Sequence, residues 1–263
     1  MTELSNYNDY GVEIEQRLRL GTSPIAIKLL KTEEDIPEEA IRPKRDLGLH
    51  LGLCQGFAMS RRDKATVAML KEDNWCYVPV LAFGLAKPPE YFLEGHMFFP
   101  DYIADVGEAK RLAATDPHLE FGKYIGVASA PLKSTKFKPD VVVIYCDVGQ
   151  LRGLVLAMKY KAGYQVTCKI DPMGACYQST VPVILSGECQ ITVPCGGDTQ
   201  YALAQDDEMV FSLPAEKLDE LILGLRNVKS ATYPGHSQYM RPECPLSESY
   251  VKLGKMIGMD VHE

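Results

Sequence analysis

Tyr124 to Asp147 reads YIGVASAPLKSTKFKPDVVVIYCD, two β-rich runs on either side of a basic linker. Tyr124 to Leu132 and Asp140 to Asp147 are dense in β-branched and aromatic residues, and the linker carries the turn residues expected between paired strands, so the stretch predicts a hairpin. Leu151 to Lys161 follows with helical spacing and would pack on that sheet. Strands that alternate with helices while also pairing locally argue for an α+β (mixed α/β) fold rather than a doubly wound one. The expected architecture is mixed, largely antiparallel sheets with packed helices, in a single large domain or two closely fused lobes.

Towards the N-terminus, Asn6 to Leu20 predicts an amphipathic helix stopped by Gly21-Thr22-Ser23-Pro24. Ile25 to Leu30 reads as a strand with Lys28 inside it, and Thr32 to Glu39 as an exposed loop or short helix. Leu47 to Arg62 is helical in character despite Gly48, Gly52 and Gly56. Glycines four apart admit a close neighbour, either a packed helix or a bulky cofactor. Ala65 to Leu70 predicts a strand, and Val80 to Ala86 and Ala104 to Ala114 predict helices. Towards the C-terminus come a strand at Tyr164 to Ile170, a helix from Gly174 to Leu185, strands at Cys189 to Val193 and Met209 to Leu213, and an amphipathic helix from Ala215 to Asn227. This divides the chain into a 1–227 α/β domain and a 228–263 extended C-terminal tail with a short helix, Ser247 to Ile257.

A formal charge of −7 and a pI near 5.4 exclude a general nucleic-acid binder, which would carry a basic face. The clusters Arg61-Arg62 and Arg42-Pro43-Lys44-Arg45 read as solvated surface. Met1 to Gln16 is polar and acidic, unlike a signal or transit peptide, and no apolar run reaches the roughly 18 residues of a membrane span. A reducing cytoplasm is the expected compartment, with no membrane partner. Acidic proteins of this size commonly form homo-oligomers, a homodimer first.

Eight cysteines are too few for a disulfide scaffold in 263 residues. Phosphate-loop, dinucleotide, zinc-protease and nucleophile-elbow signatures are absent, and there is no Cys-x-x-Cys pair. Cys146 and Cys168 lie in predicted strands and read as core residues, while Cys189 and Cys244 stay undecided. Cys54, Cys76, Cys176 and Cys195 differ. Each sits beside glycine, in a turn or at a predicted helix start, where free backbone N–H groups stabilise thiolates and anionic clusters. Four such thiolates suit an iron–sulfur cluster, or zinc if they converge; buried structural thiols are the alternative. Lys28 on its apolar strand either snorkels to the edge or reaches an anion. His96, in Gly95-His96-Met97-Phe98, and His50, four residues before Cys54, are further candidate ligands or proton donors. Tyr77, Tyr160, Tyr164 and Tyr177 read as structural.

Thr22-Ser23-Pro24-Ile25-Ala26-Ile27-Lys28-Leu29-Leu30, Cys54-Gln55-Gly56-Phe57 with Arg61-Arg62, Glu72-Asp73-Asn74-Trp75-Cys76, Phe83-Gly84-Leu85 and the run from Pro131-Leu132 to Pro139-Asp140-Val141-Val142 together resemble the domain-of-unknown-function 169 (ArCR) family, over about Leu18 to Asn227. The family carries no settled activity. The resemblance implies a shared cysteine set matching Cys54, Cys76, Cys176 and Cys195, and an anaerobic setting. The family's small residue and arginine after the last cysteine are replaced here by Gly196-Gly197-Asp198-Thr199. The resulting expectation is a [4Fe–4S] protein of anaerobic metabolism, serving electron transfer or a reductive step, with either an electron-transfer partner or a small-molecule substrate. Were an iron left open, Lys28 or His96 would bind the substrate. The alternative is a small-molecule or tetrapyrrole-binding protein without catalysis of its own.

Overall fold

The computed structural model describes residues 3–163, 165–228 and 246–258. In chain order the elements are α1 (Glu3–Leu18), β1 (Ile25–Leu30), α2 (Leu53–Arg62), β2 (Val67–Leu70), α3 (Tyr77–Ala82), α4 (Glu90–Leu93), α5 (Val106–Thr115), β3 (Gly126–Pro131), β4 (Val141–Cys146), α6 (Val148–Ala162), α7 (Ala175–Gln178), α8 (Val181–Ser186), β5 (Gln190–Thr192), α9 (Gly196–Tyr201), β6 (Met209–Pro214), α10 (Leu218–Asn227) and α11 (Glu248–Met256). The strands form one six-stranded sheet in the order β2-β3-β1-β4-β6-β5, every neighbour antiparallel. The fold is α+β. Residues Met1–Tyr233 form one compact unit and Pro234–Glu263 a second, in which α11 is the described helix. Among the described residues no helix is long and apolar enough to cross a membrane.

Both sheet faces are covered, which is why the strands read as near-continuous apolar runs rather than alternating ones. On one face Ala26, Leu30, Val142, Ile144, Phe211 and Leu213 pack with α1, α6 and α10. On the other, Ile25, Ile27, Val67, Met69, Val143, Tyr145 and Val210 pack with α2, α3, α7 and α8. Two glycines set the closest approaches. A β-carbon at Gly224 of α10 would stand 2.0 Å from the Ala157 carbonyl oxygen of α6, and one at Gly56 of α2 would stand 2.7 Å from Met69 Sδ of β2. Gly56 therefore seats a helix on the sheet, not on another helix.

The predicted hairpin does not form. β1 lies between β3 and β4 and bonds to both, pairing Ile25 with Pro131 on one side and with Val143 on the other. The linker crosses the end of β1: Leu132 N–H donates to the Pro24 carbonyl (2.8 Å) and Asp140 N–H to that of Ile27 (2.8 Å). A six-residue strand buried on both faces gains more by filling the sheet's centre than two strands gain by pairing locally.

Other expectations shift more modestly. The helix expected from Leu47 begins only at Leu53, because Gly48 adopts a left-handed φ of 67° and closes a separate turn at Pro43–Leu47. Gly174 to Leu185 splits into α7 and α8, with Pro182 in the first turn of the second. No strand forms over 165–170. There Gln190 Nε2 and Thr192 Oγ1 reach the carbonyls of Lys169 (2.6 Å) and Asp171 (3.0 Å), so side chains take the place of a ladder and Cys168 is only half-buried rather than core. Cys146 and Cys189 are buried. Tyr164, Cys244 and the tail expected at Ser230 to Ser247, all but its last two residues, lie outside the described residues.

Candidate metal centre

The four cysteines singled out by context come from four separate helices on one side of the sheet, and each occupies the start of its helix. Cys76 and Cys195 are the N-caps of α3 and α9, while Cys54 and Cys176 are the second residues of α2 and α7, whose caps are Gly52 and Gly174. The position is chemical as well as geometric, because the first N–H groups of a helix have no partner within it. Some of them turn to sulfur: Val78 N–H to the Cys76 thiol, and Asp198 and Ala175 N–H to that of Cys195, while Gln55 N–H beside Cys54 donates to the Gly52 carbonyl (2.9 Å).

The thiols share one electrostatic environment. Burial pushes the Cys176 thiol far above its ordinary range, and the charges of Cys54, Asp198, Cys195 and Cys76 push it further. Burial likewise raises Cys54, with Asp198, Cys195 and Cys76 adding to the effect. Cys195 is pushed up to about 11, by burial first and then by Asp198; Cys76 is raised by burial. All four are therefore neutral thiols when nothing is bound. Four buried thiolates cannot coexist without a cation to offset them, and a metal inverts the balance by deprotonating its ligands.

The surroundings are built to hold this arrangement. Gln55 Oε1 accepts from Gly52 N–H (2.8 Å) and from the Trp75 indole (2.8 Å), tying the helix start of Cys54 to the neighbour of Cys76. Leu51 N–H donates to the Asp73 carbonyl and Trp75 N–H to that of Leu51, so the two segments run side by side. Buried Asp73 anchors the turn before Cys76, accepting from Arg42 Nε (2.8 Å), Leu70 N–H (2.9 Å) and Lys44 N–H (3.0 Å). A side chain on Gly197 would begin 3.5 Å from Cys195 Sγ and 3.9 Å from Cys54 Sγ, so the backbone of α9 passes beside both sulfurs. Among the described residues no three or more His, Cys, Asp or Glu side chains are grouped as a metal ion's ligands would be.

Three further residues belong to this site and were not singled out in the sequence. Asp198, 1% exposed, accepts a hydrogen bond from Tyr145 Oη (2.8 Å) and one from Cys195 Sγ (3.3 Å). Arg61 stacks 4.0 Å above the Tyr145 ring and pairs with Glu208, at 2.7 Å from Nη1 and 3.2 Å from Nη2. At 2% exposure, Arg61 is not the solvated residue its neighbourhood of charges suggested. Asp198 had a local signal, as the third residue after a cap cysteine. Arg61 had none, because Tyr145 and Glu208 lie far along the chain.

The other candidates fall elsewhere. Lys28 lies on the sheet face opposite the thiols, in register with Ala26 and Leu30, and its Nζ stands 3.5 Å from Asp35. Its charge is paired there with that carboxylate. His96 is exposed and packs on the Tyr91 ring, 5.7 Å between centroids, in the satellite formed by α4 and α5. His50 is exposed and precedes α2 rather than sharing a face with Cys54. Tyr77 and Tyr160 are exposed, and Tyr177 is buried.

The ArCR family pattern, that of domain of unknown function 169, matches residues 13–224. The chain belongs to this family. The ArCR match spans the whole sheet and all four cysteines, and stops within α10. An uncharacterised protein of Methanocaldococcus jannaschii is 25% identical over 237 residues, covering 89% of this chain and the whole of that protein. No solved structure matches the chain.

Proposed function

We propose that this ArCR protein carries a [4Fe–4S] cluster on Cys54, Cys76, Cys176 and Cys195 and serves as a one-electron carrier in anaerobic metabolism. The observation behind the reading is that four thiols from four helix starts share one largely buried environment, with backbone N–H groups already turned to the sulfurs of Cys76 and Cys195. When bound, such a group supplies a one-electron couple whose potential depends on burial, charge and N–H···S bonds. Were all four cysteines to ligate, no iron would be left open for substrate; Lys28 lies on the opposite sheet face and His96 in the α4–α5 satellite. Electron transfer is therefore favoured over a reductive step at the metal.

The protein's own residues have separable roles. Asp198, itself held by Tyr145, accepts the Cys195 S–H in the unloaded protein, and its carboxylate would add negative charge beside the sulfurs once that proton has left. Trp75 and Tyr201 meet edge to face, 5.4 Å between ring centroids, and shield the Cys54 side of the site from water. The test is purification under strict anaerobiosis with iron and sulfide analysis, alongside Cys54→Ala and Cys195→Ala. The expected wild-type protein is brown, and each variant loses most of its iron while keeping its far-ultraviolet circular dichroism. A colourless, iron-free wild type would sink the reading. An organic chromophore without inorganic sulfide would replace it with a tetrapyrrole or small-molecule binder.

A further inference from the structure

A second cavity lies at the other end of α3 from Cys76. It encloses about 310 Å³, with walls formed by Leu81, Phe92, Leu93, Leu119 and Phe121. That is room for a single-ring molecule, at the small end of ligand pockets. Three polar side chains line it: Asp116, Lys87 and His118. Lys87 and His118 are exposed, and the His118 ring turns back to the Asp116 carbonyl at 3.1 Å.

Asp116 is placed differently. It follows the last residue of α5, and its Oδ1 accepts from Tyr177 Oη (3.0 Å) and Gln178 Nε2 (3.1 Å). Both bonds fall on one oxygen. Among the described residues none is donated to Oδ2, which leaves one half of a largely apolar-walled carboxylate without a donor. Asp116 is half-buried, and a charge-assisted bond from a ligand's ammonium to this free oxygen is stronger than the bond from water that it would replace. The exposed cations are solvated and screened, so they contribute little to an anion's binding.

We propose that this cavity binds a small apolar molecule carrying an amine, with the amine on Asp116 and the hydrocarbon against Leu81, Phe92 and Leu119. The site is also linked to the thiols. Tyr177 and Gln178 directly follow Cys176, and Leu81 lies five residues after Cys76, a rise of about 8 Å along a helix. A bound amine would press on the two helices that present Cys176 and Cys76. The binding step itself does not depend on iron.

Benzylamine, toluene and benzoate serve as probes, titrated into the purified full chain at about pH 8, where the acid is ionised and the amine charged. Saturation-transfer NMR and calorimetry read the binding. The proposal expects saturable binding of benzylamine, at least tenfold tighter than toluene or benzoate. Asp116→Asn should weaken benzylamine at least tenfold, and Leu93→Trp, at a half-exposed wall position, should block the cavity and abolish it. Melting curves of both variants confirm that they fold. Benzoate binding as well as benzylamine, unchanged benzylamine binding in either variant, or binding of none of the probes would overturn the proposal. Because no iron is measured, failure here and failure of the cluster reading are separate results.

Discussion

The half-buried carboxyl of Asp116 shows how one residue's setting controls both its charge and the stability of its surroundings. Burial pushes its pKa up to about 6, against the Tyr177 bond that pulls it down, with Asp171 adding to the rise. The folded state therefore holds the proton more tightly than the unfolded chain between about pH 4 and pH 6. Stability from this group is present below that window and falls as pH rises through it. Asp116→Asn keeps an acceptor for Tyr177 and removes the charge. Chemical denaturation should find the variant more stable by about 1–3 kcal/mol at pH 7, with the difference gone below about pH 4. The cysteines were the most legible residues in the sequence, because glycine and turn neighbours mark helix starts whatever the tertiary fold. Arg61 was the least legible. A buried arginine needs a Glu208 and a Tyr145 that only the folded sheet delivers, so charge composition alone pointed the wrong way.

Among the elements, strands and long helices were readable because each buries a surface with its own period. Which strands pair was not. The linker at 132–139 is recognisable as a connection, yet its sequence is indifferent to whether β1 slips between the strands it joins. Short helices were also blurred: α7 and α8 look continuous until Pro182 is seen to start a new turn. The contact of α6 with α10 makes a sharp test of the packing. Gly224→Ala would place a methyl where the Ala157 carbonyl stands, so the two helices must separate. Urea denaturation should show a loss of about 1–3 kcal/mol, the usual range for overpacking. An unchanged midpoint would mean the helices are not in backbone contact.

At the scale of the whole molecule, the proposed metal centre would gather residues spread from Cys54 to Cys195 across one face of the sheet. Occupancy of that centre should therefore be coupled to folding. With nothing bound, the thiols are protonated, so loading the site releases protons and is favoured as pH rises. Stopped-flow with a pH indicator in weak buffer should record the release during reconstitution. The same thiols make the unloaded protein lose stability above about pH 9, because the fold disfavours thiolates that the unfolded chain tolerates. The loaded protein should not show that alkaline loss. Melting curves of loaded and unloaded protein across that range would expose the difference. The most direct test of the central claim is the ratio of iron and acid-labile sulfide to protein chain after anaerobic purification. The account predicts about four of each per chain, falling below one in Cys176→Ala. Iron without sulfide, or neither in a folded wild-type protein, would contradict it.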